Sequence, residues 1–582
     1  MRIPERTNIA LVWIPNAAHH LPTERPQDIA EAINRFLKKP SGPPADAEFR
    51  VSIRVDASRT IGLVEPIWRF FGYDEANYTY MPHGKNLLTK LGKLGNPQVY
   101  VRCHHLLTSG DGTPALKWGS TGAYTEAADG TPVYNWTIVD RIFDTYLERG
   151  LKPYVEIGFM PEALSTHPED YPQNPPPNEL APIDSGQAYP PKDYNKWAEL
   201  VYQWAKHCVE KYGVGEVNQW YWGIWNEPNI TYWRGSREEF FKLYDFSVDA
   251  VRRALPTARM GGPESAHGLD GDFLRDFLRH CSRGANHATG GQGAPLDFIS
   301  FHAKGAPEFI DGQVRMGMGE QLRQVDDAFR VIASFEEFGK LPVIIGECDP
   351  EGCAACREPR NAYRNGTMYS SYTTAVFPRI LELAEKHNIN LEGALTWAFE
   401  FEGQPPFAGF RALATDGIDL PVLNVFRMFA KMRGQRVSTQ SSGSVSTQSI
   451  MEKGVRGVPD VSACASLDGD KLYVIVWNYH DDDVRGADAL VELTISGLPH
   501  EKGEVKLTRY CIDKNHSNSY EAWKGMGKPI DLASAQREIL EVASKLAECE
   551  PQTAIPIKEG IALLAFPLQR QGVTLIVLDL TR

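Results

Sequence analysis

WYWGIWNE, residues 220–227, decides how this chain reads: a short aromatic and aliphatic run ends on Asn226 and Glu227, and Pro228 stops it. Proline cannot donate to a sheet ladder, so the run is a strand with a sharp C-terminal end. Runs of the same kind stand on either side. Upstream are EPIWRFFGY (65–73), QVYVRCHH (98–105) and KPYVEIGF (152–159); downstream are ARMGGPE (258–264), DFISFHA (297–303), PVIIGE (342–347) and EGALTWAFE (392–400). Longer amphipathic stretches separate them, which is the βα pattern of a parallel sheet. Eight such units predict an α/β fold, a (β/α)8 TIM barrel over residues 61–436.

Loop lengths test that reading, because in such barrels the segments after strands build the working face. The long Gly-, Pro- and Asn-rich segments 106–135 and 160–192 both follow strands, while the turns before strands near 150 and 340 are short. Residues 282–297 are long on the other side and read as a surface insertion. Beyond the barrel, VSTQS occurs twice around SSG in 437–450, a polar stretch that reads as a linker. Residues 451–582 hold strand runs such as LYVIVWNY and VTLIVLDL and a helical stretch near 531–548, predicting a β-sandwich-like accessory domain. Within it Asp481, Asp482 and Asp483 read as a solvated loop, since no calcium-loop spacing follows. Residues 1–60 form an N-terminal extension, with a helix near 26–38 and a strand near 48–55, packing on the barrel or on the β domain.

The chain has 582 residues and a net charge of −13, with no contiguous basic stripe, so nucleic acid is not an expected partner. No signal peptide or apolar run of spanning length is evident, which predicts a cytoplasmic protein without a membrane partner. Nine cysteines, an odd number, read as reduced thiols. Cys348, Cys353 and Cys356 form the one cluster, and without a second ligand pair nearby it does not predict a metal site.

Two glutamates end strands: Glu227 closes the fourth and Glu347 closes the seventh. Carboxyl groups facing each other across a barrel mouth are what glycoside hydrolysis requires, one to protonate the leaving oxygen and one to attack or to activate water. Asn226, beside the first, can bond a sugar 2-hydroxyl as charge develops at the anomeric carbon.

An ordered set of segments then resembles the β-xylosidases of glycoside hydrolase family 39. Val101-Arg102-Cys103-His104-His105, Ile138-Val139-Asp140-Arg141, Pro153-Tyr154-Val155-Glu156-Ile157-Gly158-Phe159, Trp225-Asn226-Glu227-Pro228-Asn229, Gly261-Gly262-Pro263, Phe298-Ile299-Ser300-Phe301-His302 and His516-Ser517-Asn518 carry it. The resemblance implies a retaining exo-glycosidase without cofactor or metal, acting on terminal xylose of xylo-oligosaccharides. It implies Glu227 as acid/base and Glu347 as nucleophile. His104, Phe159, Asn226, His302 and Trp397 are implied as sugar contacts, with Glu402 a further candidate.

Two departures touch that pocket: His302-Ala303-Lys304 stands where members of the family often have tyrosine, and Cys348-Asp349-Pro350-Glu351 replaces a tyrosine-bearing segment. Lys304 either holds a uronic carboxylate or pairs with Asp349, Glu351, Glu400 or Glu402, and pairing is the expected role. A related exo-activity on an α-L-arabinosyl or α-L-iduronyl terminus is the nearest alternative, and a non-catalytic carbohydrate-binding protein the more distant one.

Overall fold

The computed structural model describes residues 49–581 apart from 96, 173, 174, 176–178, 269 and 270. The helix expected near 26–38 lies outside the described residues. The chain enters through β1 (Phe49–Leu63) and then lays down β2 (Phe70–Tyr73), β3 (Tyr100–Cys103), β4 (Lys152–Ile157), β5 (Tyr221–Ile224), β6 (Arg259–Ala266), β7 (Phe298–Lys304) and β8 (Val343–Asp349). The last expected barrel strand is split into β9 (Leu391–Ala394) and β10 (Thr396–Trp397). β2 to β8 pair in chain order, all parallel, β9 pairs with β8 and β10 with β2, so the sheet closes on itself. All eight expected runs are therefore strands of one barrel.

A helix follows each strand: α1 (Pro82–Gly92), α2 (Thr137–Leu147), α3 (Tyr194–Tyr212), α4 (Arg237–Ala254), α5 (Gly271–Arg283), α6 (Met318–Ala333), α7 (Thr367–His387) and α8 (Pro421–Lys431). Local signals set their ends. Ser236 and Glu239 form a reciprocal capping box at the start of α4, and Asp193 accepts from the Asn195 and Lys196 amides at the start of α3. The barrel floor is aromatic: Phe70 stacks on Tyr100 at 5.2 Å, Tyr100 meets Tyr221 at 4.9 Å, and Tyr221 meets Phe298 at 5.2 Å. Alternate residues of a strand share a face. Above Tyr100 on β3 the same face therefore carries Arg102 and then His104, and above Phe298 on β7 it carries Ser300 and then His302.

The second unit is β-rich. β11 (Gln435–Ser441), β12 (Asp460–Asp468), β13 (Lys471–Tyr479), β14 (Ala489–Ser496), β15 (Lys502–Ile512), β16 (Ala547–Glu548), β17 (Thr553–Lys558), β18 (Ile561–Leu568) and β19 (Val573–Asp579) join β1 in one sheet. Its order is β16-β15-β17-β18-β14-β1-β11-β12-β13-β19, and β15 also pairs with β19, so the strands wrap around a core that includes Ile53, Val474, Leu493 and Ile576. The helical stretch expected near 531–548 is a helix over Ser534–Ser544.

Several expectations need correction. Residues 437–450 are not a linker: β11 lies between β1 and β12 with Val437 buried, and Ser446 caps a helix over Thr447–Lys453. Backbone hydrogen bonds place this stretch, and its polar side chains do not reveal them. The strand of the N-terminal extension belongs to the β-rich unit, since β1 pairs parallel with β14 and antiparallel with β11. Two of the three aspartates are not solvated, and only Asp483 is exposed. Asp481 is buried and accepts from the Val455 amide at 2.8 Å, while Asp482 takes the guanidinium of Arg315 in two bonds of 2.6 and 3.0 Å, tying the β-rich unit to a barrel loop.

The thiols also differ from expectation. Cys353 is bonded to Cys356 and Cys511 to Cys549, leaving Cys103, Cys208, Cys281, Cys348 and Cys464 free. The expectation that all nine cysteines are reduced thiols is therefore not met. Among the described residues no helix is long and apolar enough to cross a membrane. Denatured, unreduced protein is expected to titrate five thiols with a chromogenic disulfide reagent, and reduced protein all nine; nine without reduction would remove both disulfides.

Candidate active site

The C-terminal ends of the barrel strands bring Glu227, Glu347, His302, His104, Asn226, Phe159 and Trp397 to one end of the barrel. Glu227 follows β5 with φ 42°, between Trp225 at 68° and the neighbouring Glu264 at 54°. Left-handed backbone costs a non-glycine residue about 1–3 kcal/mol and persists only where its surroundings over-determine it. Here the Glu227 amide donates to the Glu264 carbonyl at 2.8 Å. Glu347 sits within β8 and is buried.

One oxygen of Glu227, one of Glu347 and a ring nitrogen of His302 all lie within 4.8 Å of one another. His302 Nδ1 is 2.9 Å from Glu227 Oε1 and 3.6 Å from Glu347 Oε1, while its Nε2 is 3.2 Å from Glu264 Oε2. Lys304 Nζ donates to Glu347 Oε2 at 2.5 Å and to Asp349 Oδ2 at 2.6 Å. Arg102 Nη1 faces Glu347 Oε1 from 3.6 Å. Three ligand-type side chains this close would suit a cation, but these two fixed positive groups beside Glu347 oppose one.

Beneath the carboxylates lies a buried layer of charged and polar groups, in which burial pushes the Glu156 carboxyl well up although Arg102 opposes the rise. Arg102 Nη2 is 2.8 Å from Glu156 Oε2 and 3.8 Å from Glu264 Oε2, and it also donates to Asn226 Oδ1 at 3.1 Å. Glu156 Oε2 in turn holds His104 Nδ1 at 2.6 Å. Tyr154 donates to Glu264. Gly346 makes room for this layer, since a Cβ there would collide with Glu264 Oε2. The remaining wall is aromatic: His104 lies 4.3 Å from Trp397, and Phe159 stacks on Tyr232 at 5.6 Å. Trp397 Nε1 donates to Asp74 at 3.0 Å, and Lys117 Nζ bridges Asp74 at 2.7 Å and Tyr232 at 3.0 Å.

These neighbours decide where protons sit. Burial pushes the Glu227 carboxyl up, but the hydrogen bond and charge of His302, with Lys304 and Lys117, outweigh it and hold Glu227 below the ordinary range. Burial lowers His302, yet the Glu347 charge and the bonds to Glu227 and Glu264 raise it above the usual histidine value. Lys304 is likewise raised against burial by Asp349 and Glu347. Burial and then Arg102 keep His104 neutral. Both shifts favour the proton between Glu227 and His302 resting on the imidazole.

Glu402 does not join the site. Its Oε1 accepts from the amides of His83 at 2.7 Å and Gly84 at 3.0 Å, satisfying the orphan donors at the start of α1. Lys304 pairs with Asp349, one of its expected partners, and with Glu347, which was not among them. The sequence reading missed Arg102, Glu156, Glu264, Asp74 and Lys117. The signal for two of them was present, because Arg102 lies two residues before His104 and Glu156 two after inward-facing Tyr154.

A family model described as glycosyl hydrolases family 39 matches residues 51–557. The chain is 26% identical over 522 residues to a β-xylosidase of Geobacillus stearothermophilus, covering 86% of this chain and 90% of that one. It is 25% identical over 552 residues to the α-L-iduronidase of Mus musculus, covering 87% and 78%. The crystal structure of a monomeric β-xylosidase from Caulobacter crescentus CB15 superposes with a TM-score of 0.70 at 21% identity, over 92% of this chain and 100% of that one, and supports the fold.

Replacing Arg102 by Met strands the Glu156 and Glu264 carboxyls, and a loss of about 3–5 kcal/mol is expected in denaturant unfolding. The Glu264 carboxyl is lowered from 4.5 to about 2, burial raising it and Arg102 and His302 outweighing that. A depressed carboxylate contributes stability above its unfolded value and loses it as pH falls through the folded one. Stability should therefore drop between pH 4.5 and about 2, and more shallowly in Glu264→Gln; equal slopes would show that Glu264 is not ionised in the folded protein.

Proposed function

The chain belongs to glycosyl hydrolases family 39, a family of enzymes acting on O-glycosyl bonds, and from that premise we propose a retaining exo-glycosidase with Glu347 as nucleophile and Glu227 as acid/base. The observation that carries it is the spacing. Retaining enzymes hold their two carboxyl groups about 5–5.5 Å apart and inverting ones about 6.5–9.5 Å, and the nearest oxygens of Glu227 and Glu347, within 4.8 Å of one another, favour the shorter spacing. A binding protein would gain nothing from two carboxylates forced this close.

In the first step Glu347 Oε1, which accepts no hydrogen bond among the described residues while Lys304 holds Oε2, forms the bond to the anomeric carbon. The bond to the leaving oxygen breaks as Glu227 protonates that oxygen. The proton comes from the pair that Glu227 shares with His302, and a sugar ring that displaces water favours its return to the carboxyl. Forming the ester consumes the Glu347 charge, the main influence holding His302 protonated. Glu227, left ionised, takes a proton from water as the water oxygen bonds to the anomeric carbon and the ester bond to Glu347 breaks, releasing the sugar with retained configuration. Arg102 fixes Asn226 through its Oδ1, leaving the Asn226 amide group for the 2-hydroxyl.

The near burial of Glu347, 5% exposed, fits one terminal ring better than a polymer crossing the site. Terminal β-D-xylose from xylo-oligosaccharides is the first reading, supported by the similarity to β-xylosidases. One observation favours a second. A β-D-xylopyranoside and an α-L-iduronide share their configuration from C1 to C4 and differ in the carboxylate at C5, and Lys304 places a cation beside Glu347 where a neutral sugar needs none.

Release of nitrophenol from a glycoside panel tests both. Glu347→Ala should be inactive, and Glu227→Ala should fall about 10²–10⁴-fold and be rescued by azide as a glycosyl azide of retained configuration. Lys304→Met should leave KM for a xyloside near wild type and raise it for an iduronide. An inverted product, or wild-type inertness toward every glycoside, would overturn the mechanism. Activity should fall as pH rises through the His302 value, above 6.5, and His302→Asn should move that limb to lower pH; an unmoved limb would exclude the shared proton.

A further inference from the structure

A second concave surface lies on the opposite end of the barrel. Barrel helices run antiparallel to their strands, so the C-terminal ends of α1 and α8 sit away from Glu227 and Glu347. Between those ends and β13, β15 and β19 of the β-rich unit is a cleft of about 940 Å³. Its walls carry Lys93 from the end of α1, Lys431 and Arg433 from the end of α8, Lys471 from β13 and Lys506 from β15. Four separate stretches of chain thus deliver five cations to one hollow, in a protein whose net charge is −13.

These cations are not consumed by the fold. The neighbouring Lys90 and Arg427 are, since both bind Asp419. Among the described residues the side chains of Lys93, Lys431, Arg433, Lys471 and Lys506 form no hydrogen bond or ion pair, and Lys431 only overlies the Tyr510 ring at 4.9 Å. Asp579 is the single carboxylate of the lining, and it accepts from Thr581. Helix C-termini favour nearby cations by about 0.3–1 kcal/mol, which accounts for Lys93 and Lys431. It does not account for Lys471 and Lys506, which flank Asp579 from the two neighbouring strands and help lower its carboxyl, one negative charge against two positive ones. Like charges gathered in a concavity repel one another, and a polyanion relieves that cost. Tyr473 and Tyr510 also line the cleft, Tyr473 largely buried and Tyr510 beneath Lys431, so the cations themselves are what the cleft presents.

We propose that this cleft is a secondary binding site for an anionic polysaccharide, a chain bearing uronate or sulfate groups, which anchors the enzyme while the opposite face works on chain ends. Multidentate contact of carboxylate or sulfate with Lys and Arg supplies the attraction. The class of ligand rests on the glycosidase reading; the cleft does not.

The test is titration calorimetry of the full chain at ~0.15 M salt with polygalacturonate and chondroitin sulfate, and with neutral xylan and a short duplex DNA alongside. The expected result is saturable binding of an acidic polysaccharide, absent for xylan. The triple variant Arg433→Glu, Lys471→Glu, Lys506→Glu should weaken it about tenfold or more, with turnover of a nitrophenyl glycoside unchanged as evidence of folding. The matching triple Gln variant should be intermediate. No saturable binding of either acidic polysaccharide, DNA bound as tightly, or indifference to charge reversal would overturn the proposal. A protein inert toward all glycosides that still binds the acidic chain through these residues would refute the catalytic reading and leave this one standing.

Discussion

The site is organised by one buried guanidinium. Arg102 is fully excluded from water, and its Nη2 spans Glu156, Asn226 Oδ1 and the Trp225 carbonyl while Nη1 faces Glu347. Taking such an ion out of water costs several kcal/mol, recovered only when charges and acceptors surround it in good geometry. Those partners come from β4, from the turn after β5 and from β8, so placing Arg102 well requires those strands to be in register. The same requirement aligns the carboxylates above. Stability and catalytic geometry therefore have one cause here.

The strain nearby follows from the same layer. Trp225, Glu227 and Glu264 all take positive φ, which no isolated strand end would choose. They are held by the Glu227 amide on the Glu264 carbonyl and by the bonds that fix both Glu264 oxygens, to Tyr154 and to His302. His302 is thus the hinge of the proton balance, in contact with the strained acid on one nitrogen and with the structural layer on the other. In the proposed mechanism the proton passes between Glu227 and His302, and the bonds just named hold both residues in place.

What the sequence revealed follows from which forces leave a mark on local pattern. Apolar runs of strand length marked all eight barrel strands, and position at strand ends singled out Glu227 and Glu347. Backbone pairing leaves no such mark, so polar β11 read as a linker and β1 could not be assigned to a sheet. Charge in an apolar strand was visible but was passed over: Arg102 and Glu156 stood in the quoted segments without a role, because inward position on a closed barrel is known only once register is known. Glu402 failed for the opposite reason. Its sequence position after the last strand was right, but two unsatisfied helix amides took its carboxylate. The Cys511–Cys549 disulfide was illegible because pairing across 38 residues depends on the path of the β-rich unit.

That unit reaches the site through α7 rather than by contact. Arg379 of α7 binds Asp460 at 2.7 Å, Trp477 donates to the same carboxylate at 2.7 Å, and Ser371 bonds Gln571 at 2.6 Å. The barrel's apolar core runs on without a break through Ile475, Trp477 and Tyr479. Just ahead of α7, Arg364 and Arg411 clamp Glu351 in the loop that leaves β8. Arg411 also faces Asp349 from 3.4 Å, and Asp349 orients Lys304 onto Glu347. A contiguous chain of packed and charged groups thus runs from the β-rich unit to Glu347, and every link but the half-buried Lys304 is buried, where electrostatic constraint is strongest. The second unit is in this sense part of the active site's foundation, since without it α7 would expose an apolar face and the loop holding Lys304 and Glu347 would lose its anchor.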